Sequence, residues 1–225
     1  MRDLFPTKNF RCLRRNPAGE VENHWVKPSL DFSAKVVCKP CNEGWMSNLE
    51  SQHAKPAMRD LIIGKCDMPI TQSQARSIAV FAFKTAVVID HLRREESFYS
   101  REIRHDFARS LRLPIAFQVW CAGYLPMGSG RVTSVYYEHP TNAGDGLKLH
   151  VCTFAVGHFA FQTVASKYFG PSISFSSKSG FDHLSVPLWP EIPSGFVWPA
   201  GDVLRSPGQF EAFAERWEVI EPPRY

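Results

Sequence analysis

Val36-Val37-Cys38-Lys39-Pro40-Cys41-Asn42-Glu43-Gly44-Trp45-Met46-Ser47-Asn48-Leu49-Glu50 places two cysteines, separated by two residues, directly before a helical pattern. Two thiolates at this spacing can point at one metal ion, and they form half of a tetrahedral zinc site. Asn42 follows the second cysteine at the predicted helix N-terminus. There its side chain can cap the helix or face a second, catalytic metal. The organisation of the N-terminal part therefore depends on whether the chain supplies further ligands.

The residues before this stretch offer two such ligands. Residues 1–35 are polar and rich in turn residues, and they predict loops with short strands around Leu4 to Leu13 and Ala34 to Cys38. A segment so poor in apolar residues needs a metal or a neighbouring domain to order it. The candidate metal ligands are Cys12, His24, Cys38 and Cys41, with spacing C-x11-H-x13-C-x2-C. The alternative is that Cys12 is a small buried apolar residue and that His24 is exposed.

Length and cysteine usage limit the class of protein. The 225 residues fit one large domain, or one medium domain with a small appendage. The chain has six cysteines but one closely spaced pair, and it shows no secretory signal pattern, which predicts a reducing, cytoplasmic setting. No apolar run reaches the roughly 18 residues needed to span a bilayer, so no membrane partner is expected.

The positive charge is concentrated near the cysteine pair. Residues 1–65 contain 11 Lys and Arg against 7 Asp and Glu, whereas residues 114–225 contain 7 against 9. Such an excess favours a phosphate backbone, because the sequence-independent part of nucleic-acid affinity is electrostatic. The alternative is an ordinary solvated surface. The basic residues concerned are Arg11, Arg14, Arg15, Lys27, Lys35 and Lys39.

The middle of the chain predicts helices. Gly44 to Ile63 is helical in pattern, with Pro56 dividing it and Gly64 ending it. Thr71-Gln72-Ser73-Gln74 has the form of a capping box and opens a strongly apolar helix from about Gln72 to Glu95, which predicts a central core position. Lys84 and Asp90 interrupt its apolar surface, either as functional groups or as snorkelling and helix-end charges. Ser100 to Leu111 predicts one more helix.

From Pro114 the pattern changes to that of strands. Ile115 to Tyr124, Arg131 to Tyr137, Leu147 to Val156 and His158 to Ala165 are rich in β-branched and aromatic residues, with a hairpin expected at Gly157. His183 to Leu188 predicts a further strand, and Ser206 to Trp217 a closing helix. His139, His150, His158 and Cys152 lie in or beside these strands. They could form an acid–base or metal site, but packed or exposed side chains are the simpler interpretation.

Together these patterns predict an α+β fold. We expect a small N-terminal zinc-knuckle segment at residues 1–65. Residues 66–225 would form central helices and a C-terminal antiparallel sheet with a closing helix, packed against that segment.

The run Val37-Cys38-x-x-Cys41-Asn42-x-Gly44-Trp45-Met46-x-x-Leu49-Glu50 resembles the second half of an HNH-type zinc motif. It is similar to a group of uncharacterised bacterial HNH-like proteins in which this run precedes a proline-containing helix and a Lys-Thr-Ala helix. Pro56 and Lys84-Thr85-Ala86 match those two features. The match is strong over about 15 residues and looser to Leu92.

The resemblance implies a role for each matching residue. Cys38 and Cys41 would bind a structural Zn²⁺, Asn42 would be a helix-borne ligand of a catalytic Mg²⁺ or Mn²⁺, and His24 would be the general base. The family expects a first Cys-x-x-Cys and an acidic residue before the histidine, whereas this chain has Cys12 alone and Asn23. Either the first ligands lie upstream of Met1 or the nuclease centre has decayed.

Three functions follow from these patterns. The first is an HNH-like protein acting on nucleic acid by metal-dependent phosphodiester hydrolysis. The second is a non-catalytic, zinc-stabilised module that binds nucleic acid or protein. The third is an inert truncated product, which would not retain zinc.

Overall fold

The computed structural model describes residues 9–27, 36–92, 97–125, 130–140, 146–168, 174–178, 180–190, 195–199 and 201–220. These residues form a mixed α+β structure around one large sheet, in agreement with the predicted class. No helix in these ranges is long and apolar enough to cross a lipid bilayer.

The large sheet has eight strands in the described part of the chain. Its hydrogen-bonded order is β11-β4-β7-β6-β5-β1-β2, and β9 also pairs with β4. Two small two-stranded sheets, β3 with β10 and β8 with β12, lie apart from it. The strands are β1 Phe10–Arg15, β2 Val21–Lys27, β3 Met68–Ile70, β4 Phe117–Tyr124, β5 Arg131–Pro140, β6 Gly146–Val156, β7 Phe159–Tyr168, β8 Ser174–Ser177, β9 Val186–Trp189, β10 Phe196–Trp198, β11 Val203–Leu204 and β12 Trp217–Ile220.

The turn between β6 and β7 confirms the hairpin expected at Gly157. Gly157 has φ +57°, and a Cβ built on it would lie 2.1 Å from the carbonyl oxygen of Ile62. The next amide, that of His158, donates to the same oxygen at 3.0 Å. The turn is therefore pressed against the end of a helix, where a side chain has no room and a positive φ suits glycine.

The N-terminal residues follow the expected loops and short strands only in part. β1 overlaps the strand expected around Leu4 to Leu13, β2 was not expected, and residues 36–38 of the strand expected around Ala34 to Cys38 are not in a strand. Phe10–Arg15 and Val21–Lys27 form an antiparallel hairpin, and its first strand pairs in parallel with β5, from Arg11 opposite Arg131 to Arg15 opposite Val135. Because β11 also joins β4 in parallel, the sheet is mixed rather than wholly antiparallel. The neighbour that orders part of residues 1–35 is thus the sheet itself.

Five α-helices and two π-helical segments follow the expected helical patterns. Thr71 and Gln74 form the capping box, since each side chain bonds to the other's backbone amide. That helix ends at Asp90, five residues before the predicted end, although residues 93–96 lie outside the described ranges. The segments are α1 Lys39–Cys41, the π-helical Asn42–Met46 and Leu49–Ala54, α2 Lys55–Ile62, α3 Gln72–Asp90, α4 Arg101–Ser110 and α5 Pro207–Ala214.

The two faces of the sheet are covered by different helices. α2, α3 and α4 pack on one face, where Phe83 is the centre of a group of edge-to-face rings that includes Phe107 and Phe117. α5 covers the other face through Phe210 and Phe213. The predicted closing helix is therefore confirmed in position but ends at Ala214, and Trp217 begins a strand. This arrangement leaves the segment before α2 on the outside of the α3–α4 layer.

Candidate functional site

The two cysteine side chains of the 36–50 stretch lie against each other. Cys38 immediately precedes α1 without capping it. The neighbouring thiol and amide of Cys41 lower the pKa of Cys38. The Cys38 sulfur in turn raises the pKa of Cys41, while the Trp45 indole acts in the opposite direction. A thiolate is the form of cysteine that binds metal or reacts as a nucleophile. The pair is therefore arranged as two neighbouring donors at the surface.

Most of the remaining residues in the stretch attach it to the helices. The Trp45 ring packs edge-on against Phe107 of α4, with 5.7 Å between centroids, and Met46 and Leu49 are buried. Glu50 forms an ion pair with Lys84 of α3. Lys84 also lies 4.6 Å over the ring of Phe81. The stretch that ends at Glu50 and the Lys84-Thr85-Ala86 stretch, which carry the family resemblance, thus contact each other directly. Packing against the helices explains the second half of the motif, from Trp45 to Glu50.

A cavity of about 430 Å³ separates the cysteine pair from α3 and α4. We call it the cysteine cavity. Its apolar wall comes from all three elements that enclose it, and its volume is within the range of small-molecule sites. The apolar residues of the wall are Val36, Val37, Trp45, Met46, Val87, Val88, Phe107 and Ala108.

The polar residues that line the cysteine cavity are cysteines and bases. Besides Cys38 and Cys41 they are Lys84, His91, Arg104, His105 and Arg109, and no Asp or Glu within residues 36–92 or 97–125 lines the cavity. Lys84 is neutralised by Glu50, and Arg104 donates to the Ser97 hydroxyl and the Tyr99 carbonyl. Sequence reasoning missed the two histidines and Arg109, because their distance from the cysteines along the chain gave no spacing signal.

The structure places the other predicted metal ligands elsewhere. Cys12 is fully buried in β1, opposite Trp25 of β2, and burial raises its pKa to about 12. His24 is exposed on β2, opposite Leu13. Among the described residues, no three His, Cys, Asp or Glu side chains lie close enough to hold one metal ion. The structure therefore brings Cys38 and Cys41 together but not the four-ligand set, which stays a prediction.

The remaining predicted residues are mostly at the surface. Asn42 and Lys39 are exposed at the start of the helical segment, and Arg11 is exposed on β1. Arg14 is buried and Arg15 pairs with Glu215 at 2.5 Å, so neither is available to a phosphate backbone in this conformation. Lys35 lies outside the described residues. Of the N-terminal basic side chains, Arg11 and Lys39 are therefore exposed to solvent, whereas Arg14 and Arg15 are part of the packed structure.

A second polar cluster, which we call the buried network, lies between α3 and the sheet. The Asp90 carboxylate accepts hydrogen bonds from the Ser97 hydroxyl, the Phe98 and Tyr99 amides and the Tyr136 hydroxyl, at 2.5 to 3.3 Å. His150 is within 3.0 Å of Ser134 Oγ and 3.1 Å of Tyr99 Oη. Asp90 and His150 are both fully buried.

The buried network includes a serine–histidine contact of the kind seen in nucleophilic catalysis, but its environment is that of a core. The contacting groups are inaccessible, and a general base must reach the proton of a substrate. The network instead fixes residues 97–99 to the end of α3, and it accounts for Asp90 as a buried helix-end charge. This agrees with the simpler interpretation of His150 as a packed side chain.

Comparisons with known proteins were made for families, sequences and folds. No protein-family model, no curated protein and no solved structure matches the chain.

Proposed function

We propose that the protein acts on nucleic acid as an HNH-like protein, with Cys38 and Cys41 as one half of a structural zinc site. The observation that supports this proposal is the pair of adjacent cysteine side chains at the start of a helical segment, with Cys38 exposed and Cys41 half-buried, beside a cavity that basic side chains line. Zinc prefers cysteine thiolates and histidine nitrogens, and a basic surface beside them attracts phosphate.

The zinc site needs two more ligands. Cys12 and His24 are the pair suggested by the sequence, whereas His91 and His105 share the cysteine cavity with the thiols. The second pair requires less rearrangement of the fold, because Cys12 belongs to a sheet strand and has a neutral buried thiol. Binding by either pair would link the cysteines to a second element and rigidify the surface between them.

Zinc content tests this half of the proposal. Purified wild-type protein should contain one zinc ion per chain, measured by inductively coupled plasma mass spectrometry. The Cys38→Ser and Cys41→Ser variants should contain none. Cys66→Ser is the matched control, since Cys66 is an exposed cysteine outside the cavity. Loss in His105→Ala but not in His24→Ala would assign the ligands to the cavity. A wild-type protein without zinc would contradict the proposal.

Hydrolysis is the stronger form of the proposal. A bound Mg²⁺ or Mn²⁺ would neutralise charge on the scissile phosphate, with Asn42 among its ligands and His24 as the base that accepts the proton of the attacking water. Supercoiled plasmid should then be nicked in the presence of either cation, and His24→Ala and Asn42→Ala should abolish nicking. His53→Ala, another exposed histidine, should leave it unchanged. Full activity of His24→Ala would exclude this mechanism.

Binding without cleavage is the second candidate. It is favoured by the exposure of Arg11 and His24 on the β1–β2 hairpin, which ends the described part of the large sheet. Fluorescence anisotropy with a labelled duplex should give an affinity that falls steeply with salt. Arg11→Gln removes an exposed charge that has no ion pair among the described residues and should reduce the slope by about 1, whereas Lys65→Gln, which removes a charge already paired with Asp60, should not. An affinity independent of salt would contradict nucleic-acid binding.

A further inference from the structure

The cysteine cavity has a chemical character that goes beyond nucleic-acid binding. Its volume of about 430 Å³ and its aliphatic and aromatic wall are typical of sites for small molecules. A phosphate backbone needs neither feature. Residues 36–46, α3 and α4 all line the cavity, so its wall is assembled from segments that are distant in sequence.

The charge at the cavity is one-sided. In the part of the chain that the structure describes, five basic side chains line it and no acidic one does. Two of the five already have partners: Lys84 is paired with Glu50, and Arg104 is bonded to Ser97 and Tyr99. His105 and Arg109 are exposed on α4, and neither forms an ion pair within the described residues. Arg109 therefore offers a permanent positive charge directly above an apolar wall.

From this geometry we propose that the cysteine cavity binds a small amphipathic carboxylate. Its apolar body contacts Val87, Val88 and Ala108, and its carboxylate accepts hydrogen bonds from Arg109 at the rim. An arginine guanidinium suits this role because it stays charged and can donate two parallel hydrogen bonds to a carboxylate. The apolar wall contributes affinity through burial, and Arg109 determines the preference for an anion over a neutral compound of the same shape.

The test uses the full chain as purified, and the fluorescent dye 8-anilinonaphthalene-1-sulfonate as a reporter. The dye should bind at one site per chain. Decanoate should displace it at a concentration at least tenfold lower than decanol does, because the two differ only in the charged head. Equal displacement by decanol would overturn the proposal, since the cavity would then select apolar surface alone.

Variants locate the site. Arg109→Gln should weaken decanoate at least fivefold and leave decanol unchanged, whereas Arg101→Gln, an exposed arginine of the same helix outside the cavity, should change neither. Ala108→Phe and Val88→Phe fill the cavity and should each abolish dye binding while the circular dichroism spectrum stays that of the wild type. If one of these two variants does not fold, the proposal is tested by dye binding in the other variant and by decanoate affinity in Arg109→Gln. Dye binding retained in a folded, filled variant would overturn the proposal.

These outcomes are separate from those of the proposed function. Cys38→Ser and His24→Ala are read by zinc content and plasmid nicking, and Arg109→Gln and the filled variants by displacement of the dye. If the protein does not bind nucleic acid but still prefers decanoate to decanol, the proposed carboxylate site is supported and the proposed function is not. If the protein binds nucleic acid but shows no preference for decanoate, only the carboxylate site is contradicted.

Discussion

The buried network and the cysteine cavity both contain histidine and oxygen or sulfur groups at short range, yet they differ in what their polar atoms contact. In the buried network the Asp90 carboxylate has four hydrogen-bond donors around it, and His150 has a hydroxyl at each ring nitrogen. In the cysteine cavity His105 and Arg109 face solvent and an apolar wall. Saturated and buried groups stabilise a fold, whereas unsaturated and exposed ones remain available to a ligand.

The comparison shows that residue types and distances alone do not identify a functional site. The Ser134–His150 contact would attract attention as a catalytic pair, and accessibility argues against it. Arg104 belongs to both regions, because its guanidinium lines the cavity and donates to Ser97 and Tyr99 of the buried network. The network therefore has a second effect, which is to hold one wall of the cavity in place.

Removal of Asp90 should have the largest effect on stability. Asp90→Ala leaves the two amides of residues 98 and 99 and the hydroxyls of Ser97 and Tyr136 without their acceptor in a dry environment. We expect the free energy of unfolding in urea to fall by about 3–5 kcal/mol. Asp106→Ala is the matched control, because Asp106 is exposed on α4 and should change stability by no more than about 0.5 kcal/mol. Similar losses in the two variants would contradict the contrast between the regions.

The contribution of Asp90 should depend on pH in one direction. Burial opposes its ionisation, but the nearby His150 and the donors from residues 97–99 outweigh burial and hold the pKa of Asp90 below its ordinary value. A folded-state pKa below the unfolded one gives stability that is present above about pH 4 and is lost as pH falls through the folded value. The difference between wild type and Asp90→Ala should be constant from pH 5 to 7 and narrow below about pH 4. A difference that widens on acidification would contradict this assignment.

The same residue type can be compared in the two regions. His150 stacks on Tyr136 at 4.7 Å between centroids and contacts two buried hydroxyls, so His150→Ala creates a cavity and removes two partners. We expect a loss of about 2–4 kcal/mol in the free energy of unfolding. In metal-free protein, where His105 cannot act as a zinc ligand, His105→Ala should lose no more than about 0.5 kcal/mol, because its side chain is exposed. A costly His105→Ala would indicate that the cavity wall is structural rather than free for a ligand.

Local signals were sufficient for much of the fold. The start of α3 follows from Thr71 and Gln74, which are three residues apart and bond to each other. The β6–β7 turn follows from Gly157, whose positive φ is needed at that position. The capping box and the positive φ of the turn depend on neighbours in sequence, so the sequence alone specifies them. The close approach of Ile62 to Gly157 is non-local and could not be predicted.

Non-local pairing accounts for what sequence reasoning missed. The extent of β1 and its parallel pairing with β5 were missed, because one face of β1 carries Arg11, Leu13 and Arg15 and because β5 lies more than a hundred residues later. The cysteine pair was visible through its spacing, whereas Arg109 joins the site only because α4 packs beside Trp45. No periodicity along the chain encodes that contact.

The smallest effect concerns the attachment of the cysteine stretch to α3. The Lys84 side chain is 10% exposed and that of Glu50 is 49% exposed, so solvent screens their ion pair in part. A double-mutant cycle with Glu50→Gln and Lys84→Met should give a coupling energy of about 1 kcal/mol, measured by urea unfolding. Lys65 and Asp60 are the control pair: they lie 2.9 Å apart but are more exposed together, and their coupling should stay below about 0.5 kcal/mol.

The size of the Glu50–Lys84 coupling energy distinguishes two explanations of the sequence motif. If Glu50 and Lys84 are coupled more strongly than the control pair, the second half of the motif serves to attach the cysteine stretch, and its chemistry is confined to Cys38, Cys41 and Asn42. If the coupling energy is close to zero, Glu50 does not attach the cysteine stretch to α3. As a carboxylate near the cavity it would then oppose the binding of an anion, and Glu50→Gln should strengthen decanoate binding. Lys84 lines the cavity and is paired with Glu50. The change in decanoate affinity in Glu50→Gln therefore measures how much the charge of Lys84 contributes to ligand binding once its partner is removed.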